Sequence, residues 1–475
     1  MIDRILPDGA DHERLVAADF VDGHLEVRRL RQGHRAQIKE RRDRVARARR
    51  HAVRDRVAAL GALEDVEPTL VVIEAHHAVQ APAATGDSIE VARFAQRRCR
   101  LTGGRARQAC YEEILLALVE RDHIRLAMDA LSVLSRLDPG TVARGHDLTH
   151  VVGINAWTPG EDVGAVYEAC TGLYQSGCYH GVVQAYLDAT GTDSATVASV
   201  CNLIKAAATN MWLRFQCVHG IGHGLVASTS MHLPKALAGC DWLVDGWDSS
   251  SCYGGAFMEF IVAGRGQSHH PTRPKAAAQS GHGGEHEHPE PADSFPVRDP
   301  KDPLFPCSVI GQKYQAACYG MQAGVIIETT GPDFGKIAKA CDGAPANMRI
   351  ACYQGIGTYV SGFTVRDSRK SIELCNQGNP AYKPWCFVGV VKNFIDVTAN
   401  PQDGFDFCNR IQAQPDVTAS CNVAVGEQLV VLFPNPDDRA RACDKAAAGW
   451  IPACRFGAGL TADRPPNLPT IPPTS

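Results

Sequence analysis

From Phe94 to about residue 460, two kinds of stretch alternate along the chain. Apolar and small residues run on for several helical turns, as in CYQGIGTYVSGF at 352–363. A turn and a shorter charged segment follow, SRKSIELC at 368–375. A polar stretch with Gly, Asn and Pro then leads to Cys386. This pattern predicts a helix opening at Cys352, a second helix ending at Cys375, and a loop to the cysteine that opens the next helix. A hairpin of this size cannot bury its apolar face alone, whereas stacked copies can. The predicted fold is therefore all-α: a disulfide-stapled α-α solenoid of about ten 34-residue helical hairpins.

The opening cysteines set the frame. They are Cys110, Cys178, Cys217, Cys252, Cys318, Cys352, Cys386, Cys421 and Cys454, with Arg144 taken to hold the place in a repeat that lacks its cysteine pair. The long step from Cys252 to Cys318 reads as one repeat plus an insert. Repeats one to five are assigned to 94–264 and repeats six to ten to 301–461. Residues 265–300 are too rich in Gly, Pro, His and Glu to pack a core, and read as a flexible insert. It carries His269, His270, His282, His286 and His288, either a metal-collecting tract or a plain solvated linker. The Pro-rich tail, 462–475, reads as disordered. A Gly recurs three residues after the opening cysteine (Gly181, Gly220, Gly255, Gly355, Gly389), where a small residue allows close helix approach. The aromatic residue just after it (Tyr111, Tyr179, Tyr253, Tyr319, Tyr353, Phe387) reads as repeat core.

All 18 cysteines fall into local pairs: Cys99/Cys110, Cys170/Cys178, Cys201/Cys217, Cys240/Cys252, Cys307/Cys318, Cys341/Cys352, Cys375/Cys386, Cys408/Cys421 and Cys443/Cys454. Nine disulfides are expected, each closing a short loop worth roughly 3 kcal/mol in the chain-entropy model. Such usage implies an oxidising compartment, periplasmic or extracellular. Zinc fingers are disfavoured, because the spacing is not a usual finger spacing.

In its stapled helical hairpins the stretch 94–460 resembles tetratricopeptide and Sel1-like repeat proteins, closest in design to the secreted, cysteine-rich Sel1-like ones. The tetratricopeptide W-x2-L-G-x2-Y pattern is absent. The resemblance implies a concave surface for a protein or peptide ligand, and carries over no catalytic residue.

Residues 1–85 differ from the rest. Twelve arginines lie between Glu26 and Arg56. The segment reads as a basic helix, a solvated leader, or the product of a mis-assigned start. The longest apolar run before Cys99, VAALGAL at 57–63, makes a poor export signal. The formal net charge of −4 gives the whole chain no polyanion-binding signature, so nucleic acid is a disfavoured partner. No 18-residue apolar run occurs, so no transmembrane segment is expected.

The candidate chemistry lies in HDLTHVVG, GCYHGVVQAYL and CVHGIGHGL, between 146 and 225. Residues four apart share a helix face. His146/His150 and His219/His223 can each bind a metal from one turn, with His180 on the helix between them. Counted from Arg144, Cys178 and Cys217, these five occupy two positions, plus two and plus six. Glu259 falls on about the same face of the next repeat and could add a carboxylate. Asp147 and Asp188 are candidates to orient ring nitrogens. Packing of three flat helices would set the outer two roughly 16–20 Å apart, so either two nearby sites or one shared site is open. With the thiols oxidised, imidazole and carboxylate favour Zn, Cu or Fe. The expected function is an extracytoplasmic metal-binding repeat protein, with metalloenzyme chemistry open. The alternative is a metal-free scaffold for a peptide or protein. Motifs for serine hydrolases, H-E-x-x-H metalloproteases, phosphate loops, dinucleotide sites and covalent haem are absent.

Overall fold

The computed structural model describes residues 79–100, 104–121, 123–263, 295–411 and 413–470. The arginine-rich leader before Val79 and the five histidines of the insert lie outside the described residues. Every regular element among those described is helical. The first half holds α1 (Gln80–Ala84), α2 (Ser88–Cys99), α3 (Gly104–Val119), α4 (Ile124–Leu137), α5 (Gly145–Ala156), α6 (Val163–Ala169), α7 (Leu173–Thr190), α8 (Ser194–Leu203), α9 (Lys205–Thr209), α10 (Met211–Ser228), α11 (Leu233–Cys240) and α12 (Gly246–Ala263). After the insert come α13 (Gln312–Met321), α14 (Ala323–Thr330), α15 (Phe334–Asp342), α16 (Arg349–Phe363), α17 (Ser368–Cys375), α18 (Lys383–Thr398), α19 (Pro401–Cys408), α20 (Pro415–Leu432), α21 (Pro436–Cys443) and α22 (Ile451–Gly457).

The unit is the one the pattern predicted. A short helix is opened by a side-chain cap and carries the first cysteine at or next to its end. Asp87, Asp162, Asp193, Asp333, Asp367, Asn400 and Asn435 accept backbone N–H bonds at the starts of α2, α6, α8, α15, α17, α19 and α21. Each such cap is worth about 1 kcal/mol. A loop then leads to a long helix holding the second cysteine. Nine disulfides join the nine expected pairs, and no cysteine is left free. The aromatic residue after the second cysteine is core, as read: Tyr319, Tyr353 and Phe387 are fully buried. Tyr353 also donates its hydroxyl to Asp342, and Tyr253 to Asp241, closing the stapled loop from inside.

Short and long helices form two layers. The short ones bury one stripe; α21 buries only Ala442 and Cys443. The long ones are buried all round, as in α10 from Gln216 to Val226, and such helices belong in the interior. They pack in sequence: α5 on α7, α7 on α10, α10 on α12, then α16 on α18, α18 on α20 and α20 on α22.

Glycines set how closely these helices approach. A Cβ on Gly255 would overlap the carbonyl oxygen of His219. One on Gly389 would overlap that of Gln354, and one on Gly457 that of Val423. In the other direction, Gly222 faces the Cys252 carbonyl, Gly357 that of Cys386 and Gly426 that of Cys454. The rule is reciprocal. The plus-three glycine of one repeat sits on the plus-two carbonyl of the repeat before. The plus-five glycine sits on the opening cysteine of the repeat after.

This rule corrects the frame of the cysteine-less repeat. Gly181 meets the His150 carbonyl, and Gly153 meets that of Cys178. His150 is therefore the plus-two residue and Gly153 the plus-five, so Leu148 holds the cysteine place, one helical turn beyond Arg144. Three other expectations also change. The short helix expected before Cys307 is a run of turns instead. The helical array begins before Phe94, with Val79 and Ala83 already buried. The tail is described as far as Thr470, with Pro465 buried and Arg464 bonded to the carbonyls of Leu468 and Pro469.

The row of long helices also curls back on itself, so that α7 packs against α18 and α10 against α20. The inner face of repeats three and four is thus covered by repeats eight and nine. No helix among the described residues is long and apolar enough to cross a membrane.

The close approaches predict opposite outcomes for the same substitution. Gly255→Ala, against a backbone carbonyl, should cost roughly 1–3 kcal/mol of stability through overpacking. Gly320→Ala, inside α13 where a Cβ meets nothing within 4 Å, should stabilise by about 0.5–1 kcal/mol. Urea titration of the oxidised proteins measures both, and equal effects of the two would contradict the packing rule.

Candidate metal centre

The reciprocal contacts bring the plus-two residues of three consecutive long helices side by side: His150 on α5, His180 on α7 and His219 on α10. The carbonyls of all three receive the glycine of the following repeat, Gly181, Gly220 and Gly255. His223 lies one turn beyond His219, and His146 one turn before His150. All five rings meet in one cluster. Centroids lie 4.9 Å apart for His150 and His223, 5.0 Å for His180 and His223, and 4.8 Å for His180 and His219. His146 is 5.7 Å from both His150 and His180. The wide separation expected of a flat array does not occur, because glycine contact shortens the helix spacing and the rings reach inward.

His223 is the hub, with all four other rings around it. Two sets of possible ligands share it. His146, His180 and His223 each offer one atom, all within 4.8 Å of one another, and so do His150, His223 and Glu259. An ion about 2.1 Å from each nitrogen in a tetrahedral site wants them about 3.4 Å apart. Closing the difference takes ring rotations of roughly an ångström. His219 belongs to neither set and packs behind them, against Phe215 at 5.5 Å.

Three rings are oriented by oxygen acceptors. Nδ1 of His146 donates to the carbonyl of Tyr174 at 2.9 Å. Nδ1 of His223 donates to Oε2 of Glu259 at 2.7 Å. Nε2 of His180 donates to Oε1 of Gln216 at 3.2 Å. A neutral imidazole with one N–H so engaged has its other nitrogen as the lone-pair donor, the arrangement seen around metal-ligating histidines. In His146, His180 and His223, those other atoms are Nε2, Nδ1 and Nε2.

The Tyr174 carbonyl reaches His146 through an uncommon backbone. Tyr174, Gln175 and Ser176 all have left-handed φ, between 52° and 63°, at the start of α7. The Tyr174 ring lies so close on Gly145 that a side chain there would strike it. Non-glycine residues in this region cost of order 1–3 kcal/mol each, and such strain gathers at functional sites.

Asp147 forms an ion pair with Arg144 at 2.7 Å, and Asp188 is exposed on α7. The ring hydrogen bonds of His146, His180 and His223 go to Tyr174, Gln216 and Glu259. Gln216 carried only a weak signal in the sequence, as a polar residue just before the opening Cys217. The left-handed turn at Tyr174 carried none.

The centre is dry. His150 and His223 are fully buried, His180, His219 and Glu259 nearly so, and His146 is half-buried. Burial first, and neighbouring histidines second, push the pKa values of His180 and His219 well below the usual imidazole value. Both rings are therefore neutral at pH 7, the form that binds metals.

Comparison with protein-family models, with curated proteins and with solved structures finds no match to this chain. What the fold and the site define is a disulfide-rich helical-repeat protein whose interior holds a histidine cluster that could hold a metal ion.

The depressed pKa values fix a sign for pH dependence in the metal-free protein. The unfolded chain takes up protons at His180 and His219 below about pH 6.5, and the folded chain does not. The contribution of these rings is complete above that pH and is lost as pH falls toward their folded pKa values. The loss approaches about 1.4 kcal/mol per pH unit for each ring. Urea midpoints of metal-stripped protein should drop between pH 7.5 and 5.5. A His180→Asn, His219→Asn variant should show a flatter profile, and an unchanged one would contradict the assignment.

Proposed function

We propose that this is an extracytoplasmic metalloprotein that holds one transition-metal ion between α5, α7, α10 and α12. The observation that carries the reading is the convergence of His146, His180 and His223, each with one nitrogen taken up by an oxygen acceptor from a different segment. A merely structural histidine needs a hydrogen bond, but it does not need two further imidazoles within a few ångströms. The donors are borderline nitrogens with a carboxylate nearby, and every thiol is in a disulfide. That set suits Zn, Cu or Fe over strongly thiophilic or all-oxygen ions. Nine disulfides support an oxidising compartment, outside the cytoplasm or secreted.

The residues have separable roles. His146, His180 and His223 would hold the ion, and His150 and Glu259 complete a second set around the same hub. Because both sets draw on His223, the expected stoichiometry is one ion per chain. When bound, such an ion supplies Lewis acidity or one-electron chemistry, according to its identity. The metal-free scaffold reading expected rings that diverge, or that each bond a carbonyl.

Elemental analysis of the oxidised protein, purified without a polyhistidine tag, tests the proposal. About one Zn, Cu or Fe per chain is expected, lost from a His146→Ala, His223→Ala variant that retains its disulfides and helicity. Wild-type protein with all nine disulfides formed and no metal, even after incubation with these ions, would overturn it.

A further inference from the structure

The repeat frame places one more polar residue on the histidine-bearing face of α7. Gln184 lies on α7, one turn after His180, at the plus-six position, where α10 carries His223. The two helices touch there: a Cβ on Gly224, the residue after His223, would lie 3.6 Å from the Gln184 Cα. Gln184 is fully buried, and neither its Nε2 nor its Oε1 has a hydrogen-bond partner. Nδ1 of His180, on the same face, likewise has none. A buried carboxamide with both ends unsatisfied costs several kcal/mol unless something meets it. A metal ion accounts for His180 Nδ1. It does not account for Gln184, since an ion takes no hydrogen bond from an amide N–H.

We infer that the centre binds, besides its metal, an exchangeable metal-bound water or hydroxide held by the Gln184 carboxamide. This deepens the metal-site reading and rests on it. The carboxamide suits such a ligand because it both donates, to the ligand oxygen, and accepts, from a ligand proton. The site also limits the ligand's size. His150, His223 and Gln184 are fully buried, and His146 is the half-buried member of the cluster. Only a ligand of a few atoms can reach a coordination position without unfolding the row of helices. An ion with three imidazole donors and one exchangeable position has the donor count of catalytic, rather than closed structural, sites.

Cobalt(II) and azide are the probes, used on the full-length oxidised protein. Cobalt should bind at about one ion per chain with visible bands of low coordination number. Azide, replacing the water, should shift those bands saturably. Gln184→Leu is nearly isosteric and replaces only the amide. It should retain cobalt but bind azide roughly tenfold more weakly, the effect of losing one hydrogen bond to a charged ligand. Without metal, the same variant should have a higher Tm than the wild type, because the unsatisfied amide is gone. Cobalt bands that azide leaves unchanged, or equal azide affinity in Gln184→Leu and wild type, would overturn the inference while leaving the metal site standing. Failure to bind cobalt at all would overturn both.

Discussion

The contact between a glycine and a backbone carbonyl of the neighbouring long helix is the constraint on which the rest of the structure depends. It sets the distance between helices and also their level along the axis. A Cβ at Gly181, Gly255, Gly389 or Gly457 would push the carbonyl opposite, so the pairing tolerates no sliding. Glycine in a helix interior is unfavourable by itself. It is retained because the helices gain more by meeting closely along their whole length than the backbone loses. The histidine cluster follows from this. The carbonyls of His150, His180 and His219 are the very acceptor-side atoms of three such contacts, so their side chains are laid in a row by the packing that builds the core.

The disulfides do a different job. Cys341–Cys352 and Cys375–Cys386 each tie the end of a short outer helix to the first half of a long inner one, whereas Cys307 lies in a run of turns. They fix the two layers to each other, whereas the glycine contacts fix repeat to repeat. Two short-range devices thus determine a long-range result. The row closes so that α7 reaches α18 and α10 reaches α20, with no staple between those partners. On that side the histidine helices meet the second half of the chain.

Much of this was legible in the sequence, because cysteine spacing and helical periodicity are local signals. The hairpin of Cys352–Cys375 folds as its residues indicate, and the nine pairs are those of adjacent cysteines. The reading failed where the marker was missing. In the repeat without cysteines, Arg144 and Leu148 are four residues apart, one helical turn, so they lie on one face. Face periodicity cannot distinguish frames that differ by a turn. His146 and His150 were therefore placed on the correct face at the wrong level, and the flat-array estimate spread the five histidines too far. Only the contact of Gly153 with the Cys178 carbonyl, a relation between helices, sets the level. Tyr174 was illegible for a related reason. Its carbonyl reaches His146 through three left-handed residues, and nothing in Tyr-Gln-Ser announces such a turn.

The balance of polar groups inside the cluster gives the metal reading its physical weight. A protein interior accepts polar atoms when they are partnered, and selection for stability alone would place apolar residues at these positions. The later repeats do so or stay neutral: the plus-two residues are Gly320, Gln354, Val388 and Val423, within the same framework of glycines and disulfides. The fold thus has no need of histidine there. Five imidazoles, a carboxylate and a carboxamide buried in four adjoining repeats are costly to keep without a partner. Buried rings such as His180 and His219, held neutral by burial and by their neighbours, are poor structural elements but ready ligands for a cation. Binding of an ion would convert that unfavourable burial into the strongest local interaction in the molecule, and would lock α5, α7 and α10 together at the level the glycines set.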